Sequence, residues 1–467
     1  MRRRDFLRNA GLTACASGLP GWAEPGKRIE IRIDSERRLG AIPVDFMGLG
    51  YEISSVATHG LLSASDGNYV ALVRRLGARG VIRIGGNTSD YSAYSAKAKA
   101  AAAPKATVVN ANALQDLGGF LDATGWSLIW GLNLGNGSVE DAVTEARAVA
   151  RAVGERLLAF EIGNEPDLYV HEGHRRNYSY DTYLREYRRY KIAVRDALPH
   201  PAFAGPDAAV QTDWVERFAE DEGRDLRLLT HHYYREGQNP RSTAEKLLNP
   251  DRKLSAMLER MQTASRKTGI PYRICETNSF SGGGRPGVSN TFVAALWVLD
   301  YLCVLAWHDA GGVNVETGVN QLDFVSSYSP IADDQHGHYT AAPEYYGMLA
   351  FAEGCRGDRV AVHYDAEELN LTAYASSAAD GMCSIVIINK DTVDAEAQIT
   401  LNLGLHDPRV LWLTAPSLAS RSNVTLGETA VGPDGSWHGR YQPLHTAGGA
   451  CVLQIPSASA AIVRMKR

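Results

Sequence analysis

From about residue 44 to residue 350, short unbroken apolar runs alternate with longer stretches in which apolar residues recur every third or fourth position. Short runs bounded by glycine and polar residues read as buried strands, and the longer periodic stretches as amphipathic helices. The strand candidates are "FMGLGYE" (46–52), "VIRIGG" (81–86), "LIWGLNL" (128–134), "LLAFEIGNE" (157–165), "AFAGPD" (202–207), "LLTHHYY" (228–234), "YRICET" (272–277) and "GGVNVET" (311–317). Helical patterns such as "NYVALVRRLGARG", "VEDAVTEARAVARAVG" and "YDTYLREYRRYKIAVRDAL" lie between them. Eight strands interleaved with helices predict an α/β fold, a (β/α)8 TIM barrel over residues 44–351, with its functional residues at the C-terminal ends of the strands.

Past residue 352 the helical period disappears, and short β-rich runs follow, among them "RVAVHYD", "CSIVIINK", "AQITLNL" and "ACVLQI". They predict a C-terminal antiparallel β-sandwich domain over 352–467. The stretch "KRIEIRIDSERR" precedes the first barrel strand, so residues 25–43 are expected to add a strand to that sandwich. The Ala/Lys-rich "SAKAKAAAAPKA" (95–106) reads as a loop or short surface helix.

The first 24 residues have a different character. A basic start, Arg3-Arg4-x-Phe6-Leu7, and a mild apolar stretch predict a twin-arginine export signal and hence a periplasmic or secreted protein. Cys15 in "LTAC" offers lipoprotein processing as an alternative, disfavoured by the short apolar region before it. No apolar run is long enough to span a membrane. The formal net charge is −5, and removing residues 1–24, with Arg2, Arg3, Arg4 and Arg8 against Asp5 and Glu24, makes the chain more acidic. That balance argues against nucleic acid as a partner. The remaining cysteines (Cys275, Cys303, Cys355, Cys383, Cys451) are odd in number and lack C-x-x-C spacing, so neither a disulfide framework nor a zinc site is expected.

Two glutamates stand at strand ends, Glu165 on the fourth and Glu276 on the seventh, and a barrel brings such ends together across its mouth. One such glutamate could equally cap a helix or pair with arginine. Two facing carboxyls suit glycosidic bond cleavage, one protonating the leaving oxygen while the other attacks the anomeric carbon. Asn164 is placed to hydrogen-bond a sugar hydroxyl, and Pro166 is expected to hold Glu165 in extended geometry. In "THHYYREG" alternation puts His231 and Tyr233 on one face and His232 and Tyr234 on the other, without saying which faces the pocket. Adjacent histidines on a strand point oppositely, so no metal site is expected, nor any cofactor. "SFSGGGRPG", just after Glu276, exposes backbone N–H groups that could cradle a carboxylate, although a lone glycine run is more often a plain loop. Arg185, Arg188, Arg189 and Lys191 could contact sulfated chains or form a solvated helix face.

Together these residues resemble clan A retaining glycoside hydrolases and, more narrowly, glycoside hydrolase family 79, the heparanase and β-glucuronidase family. The resemblance is carried by "RIGGNTSDY", "EIGNEPD", "GPD", "HHYYREG", "EKLLNPD", "ETNSFSGGGRPGVSNTF" and "PEYYGMLAF", in consistent order along the barrel. It implies Glu165 as acid/base and Glu276 as nucleophile, selects His231 and Tyr233 as the pocket-facing pair, and places Glu52 and Asn87 along the sugar site. It further implies recognition of a uronate carboxylate by Gly282, Gly283 and Tyr328. The substrate would then be a glucuronic-acid-containing oligo- or polysaccharide. Two alternatives are a clan A glycosidase of neutral sugars and a non-catalytic glycan-binding protein on the same fold.

Overall fold

The structure, a computed structural model, describes residues 27–97, 106–318, 326–402, 404, 406–447 and 449–466. The expected export signal with Cys15, and most of the Ala/Lys-rich stretch, lie outside them.

Eight parallel strands close into a barrel: Gly48–Glu52, Val81–Gly85, Ser127–Leu132, Leu157–Ile162, Phe203–Ala208, Leu226–Tyr234, Tyr272–Asn278 and Gly312–Glu316. Each pairs with its neighbours in sequence, and the eighth returns to the first. The strands read as unbroken apolar runs because both faces are covered, the outer one by helices. Ile82, Ile84, Trp130, Phe160 and Leu229 pack outward into the main core. Val81, Ile129, Ala159, Ala204, Leu228 and Cys275 form a separate small apolar plug, one residue out of phase with the outward set, which is the barrel interior.

Two positions further along several of these strands the interior turns polar. Arg83 and Glu161 follow Val81 and Ala159 and are fully buried. At the opposite end Arg273 donates to the carbonyls of Asp45, Phe46 and Val313 and to Asn314 Oδ1. The barrel is therefore sealed below and charged above, which fixes where chemistry can occur.

The helices begin as their sequences require. Asp66, Asn110, Ser138, Ser179, Thr243 and Asp251 each accept a first-turn amide at a helix N-terminus, worth about 1 kcal/mol apiece. Two helices, Phe292–Trp307 and Pro343–Gly354, are apolar nearly all round. They can be so because they share one core with Val386, Ile388, Leu411 and Ile462 of the second sheet. The lone acid of the first, Asp300, accepts from Lys390, Thr372 and Tyr374 of that sheet.

The second sheet is eleven-stranded. Its two ends share a core, in which Ile31, Ile385, Ile399, Leu453 and Val463 meet, so it curls into a sandwich. Lys27–Ala41 inserts between Asp358–Tyr364, antiparallel, and Ala395–Leu401, which makes one parallel pairing in an otherwise antiparallel sheet. The cysteines from Cys275 onward are buried and unbridged, with Cys303 Sγ and Cys355 Sγ 3.7 Å apart. Among the described residues no helix is long and apolar enough to cross a membrane.

Candidate active site

Strand four stops at Ile162, and the chain turns through Gly163 (φ 86°) before reaching the acid. Glu165 is left-handed (φ 50°, ψ 50°), not extended as expected from the following proline. Pro166 bars the right-handed helical well but leaves this one, at a cost of about 1 kcal/mol. The Glu165 N–H, donated to the Asp207 carbonyl at 3.0 Å, helps offset that cost. Pro166 then opens a single turn, Pro166–Leu168.

Glu276 reaches the mouth by another device. Ile274 pairs with His231 but Glu276 with His232, so strand seven carries one extra residue at Cys275. Such a bulge re-aims a side chain without moving the strand. The result is that facing atoms of Glu165, Glu276 and His232 lie within 4.8 Å of one another.

Beneath them runs a connected polar network. His232 Nδ1 is 2.9 Å from Glu165 Oε1, and Nε2 is 2.7 Å from Asp207 Oδ1. Both partners are carboxylates, so both ring nitrogens donate. Burial opposes the charged ring, yet Asp207 and Glu276 hold it protonated well above the ordinary histidine range. Arg83 donates to Glu161, Asp207, Asn164 and Glu276, the last at 2.8 Å. Burial penalises the Asp207 carboxylate, but Arg83 and His232 more than compensate and hold it well below the usual range. Burial raises Glu165, and the hydrogen bond and charge of His232 pull the other way.

The pocket-facing pair is His232 and Tyr234, which corrects the assignment of His231 and Tyr233. Leu228 belongs to the interior plug, so every second residue after it faces inward. Tyr234 donates to Glu276 Oε1 at 2.9 Å. His231 instead lies against Thr212 on the neighbouring helix, and burial lowers it to about 4. Tyr233 donates to Asp251 and stacks on Tyr301 at 5.3 Å, outside the barrel.

The other expected residues come together in one cavity of about 550 Å³, lined by Glu52, Asn87, Glu165, Glu276, Gly282, Gly283 and Tyr328 among others. Asn164 sits just below, accepting from Arg83 and donating to Asn87. Glu52 accepts the amides of Asn87 and Thr88 and the Thr88 hydroxyl, and burial followed by the charge of Glu276 pushes it up to about 7. Tyr328 stacks on Tyr234, ring centroids 6.3 Å apart. Gly282, Gly283 and Gly284 all have φ between 74° and 82°, a run that side chains would strain. The amides of Gly282 and Gly283 take no partner among the described residues, while Ser327 N–H donates to the Gly283 carbonyl.

The basic stretch after strand four does not reach the cavity. Arg188 and Lys191 pair with Glu222, and Arg185 donates to Thr182. Among the described residues two groups have metal-ligand residue types, Glu165–His232–Glu276 and Glu161–Asp207–Cys275. In the first the imidazole spends both nitrogens as donors, and in the second Arg83 already bridges the carboxylates. Neither suits a metal ion. Sequence reasoning passed over Arg83 and Asp207 as functional residues. The available signal was a single arginine inside the apolar run "VIRIGG", since a buried charge must find partners.

The fold is a closed parallel (β/α)8 barrel that brings two glutamates together at the ends of strands four and seven. A 4-O-α-L-rhamnosyl-β-D-glucuronidase from Fusarium oxysporum shares this fold over 92% of this chain and 99% of its own, with TM-score 0.74 and 16% identity. More narrowly, residues 79–303 match the model of the Glycosyl hydrolase family 79, N-terminal domain. A β-glucuronidase of Aspergillus niger is 28% identical over 352 residues, covering 67% of this chain and 64% of the relative. A heparanase of Bos taurus is 27% identical over 208 residues, covering 42% and 35%. The chain thus spans less than two thirds of the length of either.

Proposed function

We propose that this protein is a retaining glycoside hydrolase that removes β-linked glucuronic acid from glycans, with Glu165 as acid/base and Glu276 as nucleophile. The observation that carries the reading is the approach of the two carboxyls, within 4.8 Å, in unlike surroundings. Retention calls for carboxyl groups about 5–5.5 Å apart, whereas inversion needs roughly 6.5–9.5 Å to admit a water between. Glu276 has a donor on each oxygen, Tyr234 and Arg83, the setting of an anionic nucleophile. Glu165 is raised by burial, the setting of a proton donor.

In the first step Glu276 attacks the anomeric carbon as Glu165 gives its proton to the departing oxygen. In the second a water, deprotonated by Glu165, displaces Glu276 and restores both residues. Gly282 and Gly283 offer amides that take no partner among the described residues, beside Tyr328, a donor set suited to a sugar carboxylate. The relatives described as β-glucuronidase and heparanase support the same substrate class.

The test compares aryl β-glucuronide with the matching β-glucoside and β-xyloside. Strong preference for the glucuronide, lost in Glu276→Gln, is the expected result. Equal turnover of all three, or an active Glu276→Gln variant, would sink the proposal.

A further inference from the structure

Resting on Glu165 as the proton donor, the geometry points to a leaving-group site built for a neutral, partly apolar aglycone and hostile to sulfated ones. A donor must lie within hydrogen-bond reach of the departing oxygen, so the leaving group occupies the side of the mouth next to Glu165. That side is formed by Leu168, His171 and Glu172 after strand four and by Ala209 and Val210 after strand five.

Val210 is 68% exposed, unusual for a valine beside a functional cavity. It is nevertheless fixed in place, because the Asp167 carboxylate accepts the amides of Ala209, Val210 and Gln211, each at 2.8 Å. Asp167 immediately precedes Leu168, so one carboxylate joins the two apolar contributors into a single pre-ordered surface. A surface already ordered binds without paying to immobilise its loops.

Charge completes the selection. Among the described residues lining the cavity none is lysine or arginine, whereas Glu172 and Glu236 both contribute. Lys246 answers Glu236. Glu172 has His174 at 3.7 Å as its nearest basic partner, and burial with the charges of Glu165 and Asp90 raises it to about 7. A sulfate placed there would meet partly ionised Glu172 with no lysine or arginine of the described lining to answer it. Of the basic side chains that follow Glu172, Arg175 donates to the carbonyls of Leu134, Gly135 and His174, and Arg188 and Lys191 pair with Glu222.

The experiment measures kcat/KM for a glucuronyl-β-hexose disaccharide and its twin sulfated on the leaving hexose, with an aryl β-glucuronide as reference. The wild-type protein should favour the neutral twin by at least about tenfold, as like charges brought together at an interface are rejected. Val210→Lys should narrow that ratio about tenfold, whatever happens to the absolute rate, and thermal unfolding of this exposed-site variant checks that it folds. Equal or faster turnover of the sulfated twin by wild type, or a ratio unmoved by Val210→Lys, overturns the inference while aryl glucuronide turnover still stands. Failure to turn over any glucuronide overturns the functional reading itself, and this inference with it.

Discussion

Tyr234 donates its phenolic proton to Glu276 Oε1 at 2.9 Å, while Arg83 donates to Oε2 at 2.8 Å. The two donors approach from strands six and two, so the carboxylate is fixed between elements that meet only when the barrel closes. Tyr328, stacked on Tyr234, keeps the phenol from rotating away. The Tyr328 ring therefore links the polar floor of the cavity to the wall proposed to bind the uronate.

Tyr234→Phe should lower kcat by about 10- to 100-fold, since a hydrogen bond to a charged group is worth about 1.5–3 kcal/mol. Tyr233→Phe is the discriminating control. Its hydroxyl goes to Asp251 at the start of the helix Arg252–Thr268, so the cost should fall on stability, about 1 kcal/mol, with kcat within about twofold. Steady-state kinetics and denaturant unfolding of both variants decide the matter. The reverse pattern would restore the other face of the strand.

His232→Gln should move the alkaline limb of the kcat/KM profile to higher pH. As the proposed acid Glu165 must be protonated, so on that proposal activity is present below its pKa and lost as pH rises through it. His232 lowers that pKa through a hydrogen bond and its positive charge. Removing the cation should lift the limb by about one pH unit or more. A limb that stays or moves down contradicts the proposed pairing.

Much of this was legible in the chain, and the exceptions share a cause. The eight strands and both glutamates follow from apolar runs and from what terminates them. The inward face of strand six does not, because a strand covered on both sides has no polar face, and "THHYY" offers a histidine–tyrosine pair to either side. Only the interior plug, assembled from six distant strands with Leu228 among them, fixes the phase. The left-handed turn at Glu165 was hidden for a similar reason. It depends on the Asp207 carbonyl, supplied by strand five, and no local rule around Pro166 contains that partner.

Arg83→Met should destabilise the fold by about 3–5 kcal/mol, because it strands Glu161, Asp207 and Glu276 around a buried site with only His232 left to balance them. Arg83→Lys should recover little, as an ammonium on a flexible stem cannot reproduce a rigid fork reaching four acceptors. Chemical denaturation measures both. A Lys variant as stable as wild type would show that charge alone, not guanidinium geometry, holds the floor.

Glu145 gives a prediction free of the candidate site. It lies buried on the helix Val139–Val153, accepts the Trp130 indole N–H at 2.9 Å, and burial raises it to about 7 despite that bond. A carboxyl raised on folding binds its proton more tightly in the native state. Its contribution is therefore present below the unfolded value and lost as pH rises through the folded one. Glu145→Gln keeps an acceptor for Trp130 but cannot ionise. Relative to wild type, the variant should gain about 3 kcal/mol of stability between about pH 4 and pH 8, each pKa unit being worth about 1.4 kcal/mol. Denaturant unfolding of the pair across that range is the measurement. A stability difference independent of pH would mean that Glu145 is ionised in the native protein and that its burial is relieved by water.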